Sequence, residues 1–202
     1  LSAIGLTVSI FFMRSFSLFK PVFMEILLWT LCIYFLVRYV NTNKNSLLIF
    51  FGLTAGMALL NKYLAVLLFA GLLIIIPFTR YRFIFRNRIF WFGILLGFLV
   101  FSPNLLWQVS KGFPVLNHMS ELYDTQLVHM DVSLFLSEQI LMPFAGTAFT
   151  VAGLVYLLFS KYAEKFRFLG FLSLFIIIGM LVLKGKSYYT LGIFPIMIAA
   201  GA

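Results

Sequence analysis

The sequence predicts an all-α fold, a polytopic transmembrane helical bundle. The 202 residues are 63% hydrophobic and 10% charged, with a mean hydropathy of +1.07. That is more apolar surface than a water-soluble domain of this size can bury. Apolar runs of about 20 residues recur from end to end, as membrane-spanning helices require. The strict apolar/polar alternation of an outer-membrane barrel does not occur.

About eight membrane segments follow in order: 1–13, 21–40, 47–60, 63–78, 89–107, 139–159, 166–183 and 189–202. The first is already under way at Leu1, without the charged n-region or cleavage site of a signal peptide. The last ends inside the apolar run IMIAAGA. The expectation is therefore one transmembrane domain, 1–202, internal to a longer protein. The lone Cys32 sits inside an apolar run, where no disulfide, metal or redox role is expected.

Charge sets the orientation. A net charge of +9 on a soluble protein would suggest nucleic acid. Here the basic residues sit at segment ends, so no nucleic acid is expected. The loops 38–45, 79–88 and 160–167 hold nine of the fifteen basic residues and one acid, Glu164. By the positive-inside rule these loops are cytoplasmic. The opposite side then holds 14–20, the Asn61–Lys62 turn, a long outer loop at 108–138, and KGKS at 184–187. Both loops flanking 46–78 are basic, so this stretch crosses twice, as a hairpin. Its arms of 14 and 16 residues span about 21 and 24 Å, short of a bilayer core of about 30 Å. Lys62 at the tip either faces protein or a wet cavity, or snorkels to the interface beside Tyr63.

The outward stretch KGKSYYT places Lys184 and Lys186 either side of Gly185, which lets the backbone bend closely round a ligand. Tyr188 and Tyr189 add hydroxyls and flat faces. Such a set can hold a phosphate or pyrophosphate at the membrane surface. An interfacial tyrosine belt with two anchoring lysines is the competing reading. Glu25, four residues into an apolar run, reads as a rim carboxylate at a helix start, with Lys20 or Arg14 as partner.

In the outer loop, Pro103 and Asn104 are expected to break the preceding helix, and Gly112 and Pro114 to mark a turn. Trp107 suits the interface. NHMSELYDTQLVHMD has an intermittent helical pattern and is expected to lie along the membrane surface. His118, Glu121 and Asp124 share a helix face at i, i+3 and i+6, with His129 and Asp131 following. These groups could take a divalent cation, but the spacing matches no metal signature such as HExxH, and solvated surface residues are the competing reading.

Taken together, four stretches resemble the membrane glycosyltransferases of the GT-C fold, and within them the PMT-like family 39 group of aminoarabinose and mannosyl transferases. SFSLFKPVFMEILLWTLCIYFLVRYV resembles that family's third or fourth span with its outer lead-in. FGLTAGMALLNKYLAVLLFAGLLIIIP resembles its Gly-rich hairpin carrying a lysine, here Lys62. SPNLLWQVSKGFPVLNH resembles the opening of its large outer loop. KGKSYYTLGIFPIMIAAGA resembles its Lys-Tyr-Tyr segment followed by a Pro-containing span.

The resemblance implies sugar transfer from a polyprenyl-phosphate donor to a lipid, glycan or protein acceptor, at the outer face of a bacterial cytoplasmic membrane. It implies a catalytic Asp in a first outer loop, upstream of Leu1. It makes Lys62, Lys184 and Lys186 donor-phosphate contacts, with Tyr188 and Tyr189 beside them. Asn104, Trp107, Gln108 and His118 would shape the sugar or acceptor pocket, together with Glu25, which stands where the family shows an Asp. A transporter or lipid flippase is the alternative; it calls for broken or charged segments at mid-membrane and an internal repeat. A non-catalytic membrane scaffold is the third reading.

Overall fold

The computed structural model describes residues 21–202. The expected segment 1–13 lies outside the described residues, as do Arg14 and Lys20. Among the described residues there are helices and turns and no strand. The described residues form nine α-helices: α1 Pro21–Thr42, α2 Ser46–Asn61, α3 Ala65–Ile75, α4 Arg88–Ser110, α5 Pro114–Leu122, α6 Val132–Leu141, α7 Thr147–Phe159, α8 Arg167–Val182 and α9 Phe194–Gly201. Among the described residues three stretches are long and apolar enough to cross a membrane alone: Pro21–Thr42, Arg88–Ser110 and Glu164–Val182. The apolar helices Ser46–Asn61, Ala65–Phe78, Val132–Leu141, Thr147–Phe159 and Ser187–Gly201 are shorter. The helical membrane class therefore stands; among the described residues three candidate spans and five shorter apolar helices lie where about eight membrane segments were expected.

Three segments depart from the sequence reading. The helix expected to break at Pro103 runs on to Ser110. Proline removes the N–H that would bond the carbonyl of Leu99. The Ser102 hydroxyl donates to that carbonyl at 2.8 Å instead, so the turn keeps its hydrogen bond and the helix continues. The segment 139–159 is two helices, parted by a turn at Pro143 and a 3₁₀ turn at Phe144–Gly146. There the Thr147 hydroxyl reaches back to the Ile140 carbonyl at 2.6 Å and satisfies a group the break would strand. The last segment begins as a 3₁₀ stretch, Ser187–Ile193, before α9 starts with Pro195 in its first turn. Gly192 lets that stretch press on α1, since a Cβ there would lie 2.4 Å from Trp29.

The closest helix contacts run through glycines. Gly52 and Gly56 of α2 face Gly93 and Gly97 of α4, and a Cβ on Gly52 would sit 1.9 Å from the Gly93 carbonyl oxygen. Gly153 of α7 meets the Met197 backbone of α9 in the same way, at 1.8 Å. In lipid, burying apolar side chains gives helices little reason to associate. Close backbone approach through small residues supplies dispersion instead. Around these seams Trp29, Leu48, Leu68, Leu172, Ile176 and Phe194 are fully buried.

Contacts sort the connections onto two ends of the bundle. At one end the Asn87 amide donates to Tyr39 Oη at 3.1 Å and Asn45 Oδ1 at 2.8 Å, while its own oxygen caps α4 at Ile89 N. Arg80 pairs with Glu164 nearby. At the other end Asn61 donates to the Pro21 carbonyl at 3.1 Å, Tyr63 bonds Asn104, and Lys186 bonds Gln126. The three basic loops thus share one end, and the 61–62 turn, 104–108 and 184–189 share the other. The hairpin at 46–78 reverses at Lys62, as its basic flanks demand.

Candidate functional site

The site forms where α1 begins, α2 ends and the Ser187–Ile193 stretch crosses them. Glu25 lies one turn into α1 and is 2% exposed. Lys62 follows α2 in extended backbone (φ −163°, ψ 129°), with its N–H still bonded to the Ala58 carbonyl at 3.0 Å. That exit turns the side chain towards α1. Its ammonium donates to Glu25 Oε2 at 2.9 Å. Glu25 is therefore neither a rim carboxylate nor surrounded by water, and Lys62 faces protein. Desolvating either charge alone would cost several kcal/mol, which explains why they are found together.

The tyrosines complete the arrangement. The Lys62 ammonium lies 3.9 Å from the centre of the Tyr189 ring and 5.5 Å from that of Tyr188. The two rings meet edge to face, 4.8 Å apart. An ammonium has three protons. Glu25 Oε2 takes one, and among the described residues no other hydrogen-bond acceptor is found for Lys62 Nζ. Among the same residues Glu25 Oε1, although buried, has no hydrogen-bond partner.

Beside this cluster lies a cavity of about 380 Å³. Lys184, Gly185 and Tyr189 line one side; Met119, Tyr123 and Leu127 line the other. The bend at KGKS differs from the expected one. Lys184, not Gly185, takes the left-handed conformation, with φ +52°. It closes α8 as a Schellman motif: Lys184 N bonds the Leu181 carbonyl at 3.2 Å and Gly185 N the Met180 carbonyl at 2.7 Å. Beside it, a Cβ on residue 185 would lie 2.6 Å from Met180 Sδ, so that flexible side chain would have to shift.

Lys62, Tyr188 and Tyr189 are thus in mutual contact, and Lys184 shares the cavity with Tyr189. Lys186 is tied to Gln126. The side chains expected to shape the sugar pocket fall in different settings. Asn104 bonds Tyr63 and Glu25 joins the Lys62 cluster, while Trp107 and His118 are exposed. Gln108 is buried and holds the next turn, accepting from Val115 N at 3.2 Å through its side chain and from Phe113 N at 2.7 Å through its backbone. The cation set His118, Glu121, Asp124, His129 and Asp131 is not assembled. No group of three such side chains could hold a metal ion among the described residues. All five are exposed to solvent, spread over α5, the π turn Tyr123–Leu127 that follows it and the start of α6, where Asp131 accepts from Leu134 N.

Sequence reasoning missed Gln139. It accepts from Thr190 Oγ1 at 2.6 Å and donates to the Ser187 carbonyl at 3.3 Å, pinning α6 to the stretch that carries both tyrosines. Its signal was an amide standing at the head of an apolar run.

A family model described as dolichyl-phosphate-mannose-protein mannosyltransferase matches residues 1–107. The chain belongs to this family. It is a membrane protein of a glycosyltransferase family, and Glu25, Lys62, Tyr63 and Asn104 lie within the matched part. The Lys184–Tyr189 stretch lies beyond that part and reaches the matched residues through folding. No curated protein and no solved structure matches the chain.

Proposed function

We propose that the Lys62 end of the bundle binds the phosphate of a polyprenyl-phosphate sugar and stabilises it as the sugar leaves. The observation that carries this reading is the Lys62 ammonium, held by Glu25 beneath the Tyr188 and Tyr189 rings and adjoining a cavity lined by Lys184. As the bond between the sugar's anomeric carbon and the phosphate oxygen breaks, negative charge grows on the phosphate. Cations fixed in a poorly solvated site stabilise that charge more than water-exposed ones would. The apolar wall of Met119 and Leu127 suits the first isoprene units, while the rest of the tail stays in lipid.

Lys62 orients, since Glu25 and the rings fix it. Lys184 and Lys186 supply the excess positive charge, since Glu25 already balances Lys62. The base that deprotonates the acceptor is a further carboxylate, because Glu25 is engaged with Lys62. The positive-inside rule supports an outward-facing site on a bacterial cytoplasmic membrane, because the basic loops gather at the opposite end; lipid, glycan or protein acceptors would meet the donor there.

The test is the Lys184→Ala/Lys186→Ala variant of the full-length protein. Its membranes are assayed with polyprenyl-phosphate mannose and polyprenyl-phosphate aminoarabinose as labelled donors. Transfer is lost while the amount of protein in the membrane is unchanged. Full transfer by that variant removes the phosphate cradle. The helix break at 142–146 is the feature that bears on the flippase alternative. Donor flux into proteoliposomes without glycosylated product would favour that alternative.

A further inference from the structure

A second polar cavity lies at the opposite, basic end. It has a volume of about 210 Å³ and is lined by Thr79, Arg80, Tyr81, Glu164, Lys165 and Arg167. We propose that this cavity binds a phosphate group, at a site distinct from the one at the Lys62 end.

Unsatisfied donors carry the argument. The Tyr81 side chain is 7% exposed, and among the described residues neither its hydroxyl nor the buried Arg167 Nε has a hydrogen-bond partner. Buried polar groups are seldom left this way, and both of these can donate. The acid in the cavity is already engaged, since Glu164 pairs with Arg80. Lys165 and Arg167 remain as uncompensated positive charge. Arg167 is the first residue of the sixteen-residue α8, so the helix adds its positive dipole end at the same place. Its Nη2 lies 3.5 Å from the Ser160 carbonyl, which steadies the guanidinium.

A ligand rich in acceptors and negatively charged matches this set; phosphate is both. Burial, above all, holds the Tyr81 hydroxyl above the usual phenol range, against the pull of Arg80, so the group keeps its proton as a donor. The phosphate could come from an anionic lipid headgroup or from solution. Phe78 and Phe171 on the cavity wall are exposed apolar groups of the kind acyl chains cover.

The experiment uses the full-length protein in neutral detergent. Dioleoylphosphatidylglycerol, inorganic phosphate and dioleoylglycerol are titrated separately, with thermal stability as the readout. The proteins compared are wild type, Tyr81→Phe, Arg167→Gln and Lys44→Gln, the last removing an exposed charge at the same end but outside the cavity. A saturable stabilisation by the phospholipid is expected. Tyr81→Phe and Arg167→Gln each weaken it about tenfold, as the loss of a hydrogen bond to a charged group should, and Lys44→Gln does not. The same pattern with inorganic phosphate supports the site and makes solution the source. Tyr81→Phe keeps the ring against Phe168 and carries the comparison if Arg167→Gln does not fold. The proposal is overturned by any of three results: no saturable effect of either phosphate probe, equal affinity in all four proteins, or equal binding of the headgroup-free dioleoylglycerol.

Discussion

Lys184→Gly should make the protein more stable and a poorer donor binder at once. Lys184 sits at φ +52°, where a residue with a Cβ is disfavoured by about 1–2 kcal/mol. Glycine removes that cost but loses about 0.5–1 kcal/mol of its own through the greater freedom of the unfolded chain. The difference is a gain of about 0.5–1 kcal/mol, with both Schellman hydrogen bonds kept. Lys184→Ala is the control, because it deletes the same ammonium and leaves the left-handed backbone strained. Denaturant unfolding of the three proteins in detergent gives the stabilities, and binding of a short-chain polyprenyl phosphate gives the function. Both variants should bind it less well, and Lys184→Gly alone should gain stability. If glycine is no more stable than alanine, no strain is stored at this position. If glycine also binds the lipid phosphate as wild type does, the lysine is not kept there for its charge.

Two further outcomes follow from the packing. Lys62→Met should destabilise more than Glu25→Gln, by about 2 kcal/mol or more, since it strands a carboxylate at 2% exposure, whereas a freed Lys62, 24% exposed, can turn towards water. The double variant should lie closer to wild type than Lys62→Met alone; an additive double would show that the pair is not coupled. Gly97→Ala should cost about 1–3 kcal/mol, because its Cβ would fall 2.2 Å from the Gly52 carbonyl oxygen and force α2 and α4 apart. Unchanged unfolding of that variant would mean that the two helices do not meet through this seam.

The sequence by itself determined the helical class, the hairpin at 46–78 and the grouping of loops at the two ends. These follow from hydropathy and from where lysine and arginine are tolerated, both local properties of the chain. It also singled out Lys62, Tyr188 and Tyr189, since cations and tyrosines beside apolar runs have few places to go. Only the tertiary structure decided that Glu25 belongs to Lys62, 37 residues away, and that the KGKS bend is made by Lys184. It also decided that Pro103 does not stop its helix and that Gln108 is used up in a turn. Each of these depends on which acceptor or carbonyl stands within about 3 Å of a given donor. That distance is fixed by how helices cross, and here the crossing is set by glycines whose partners lie some forty residues along the chain.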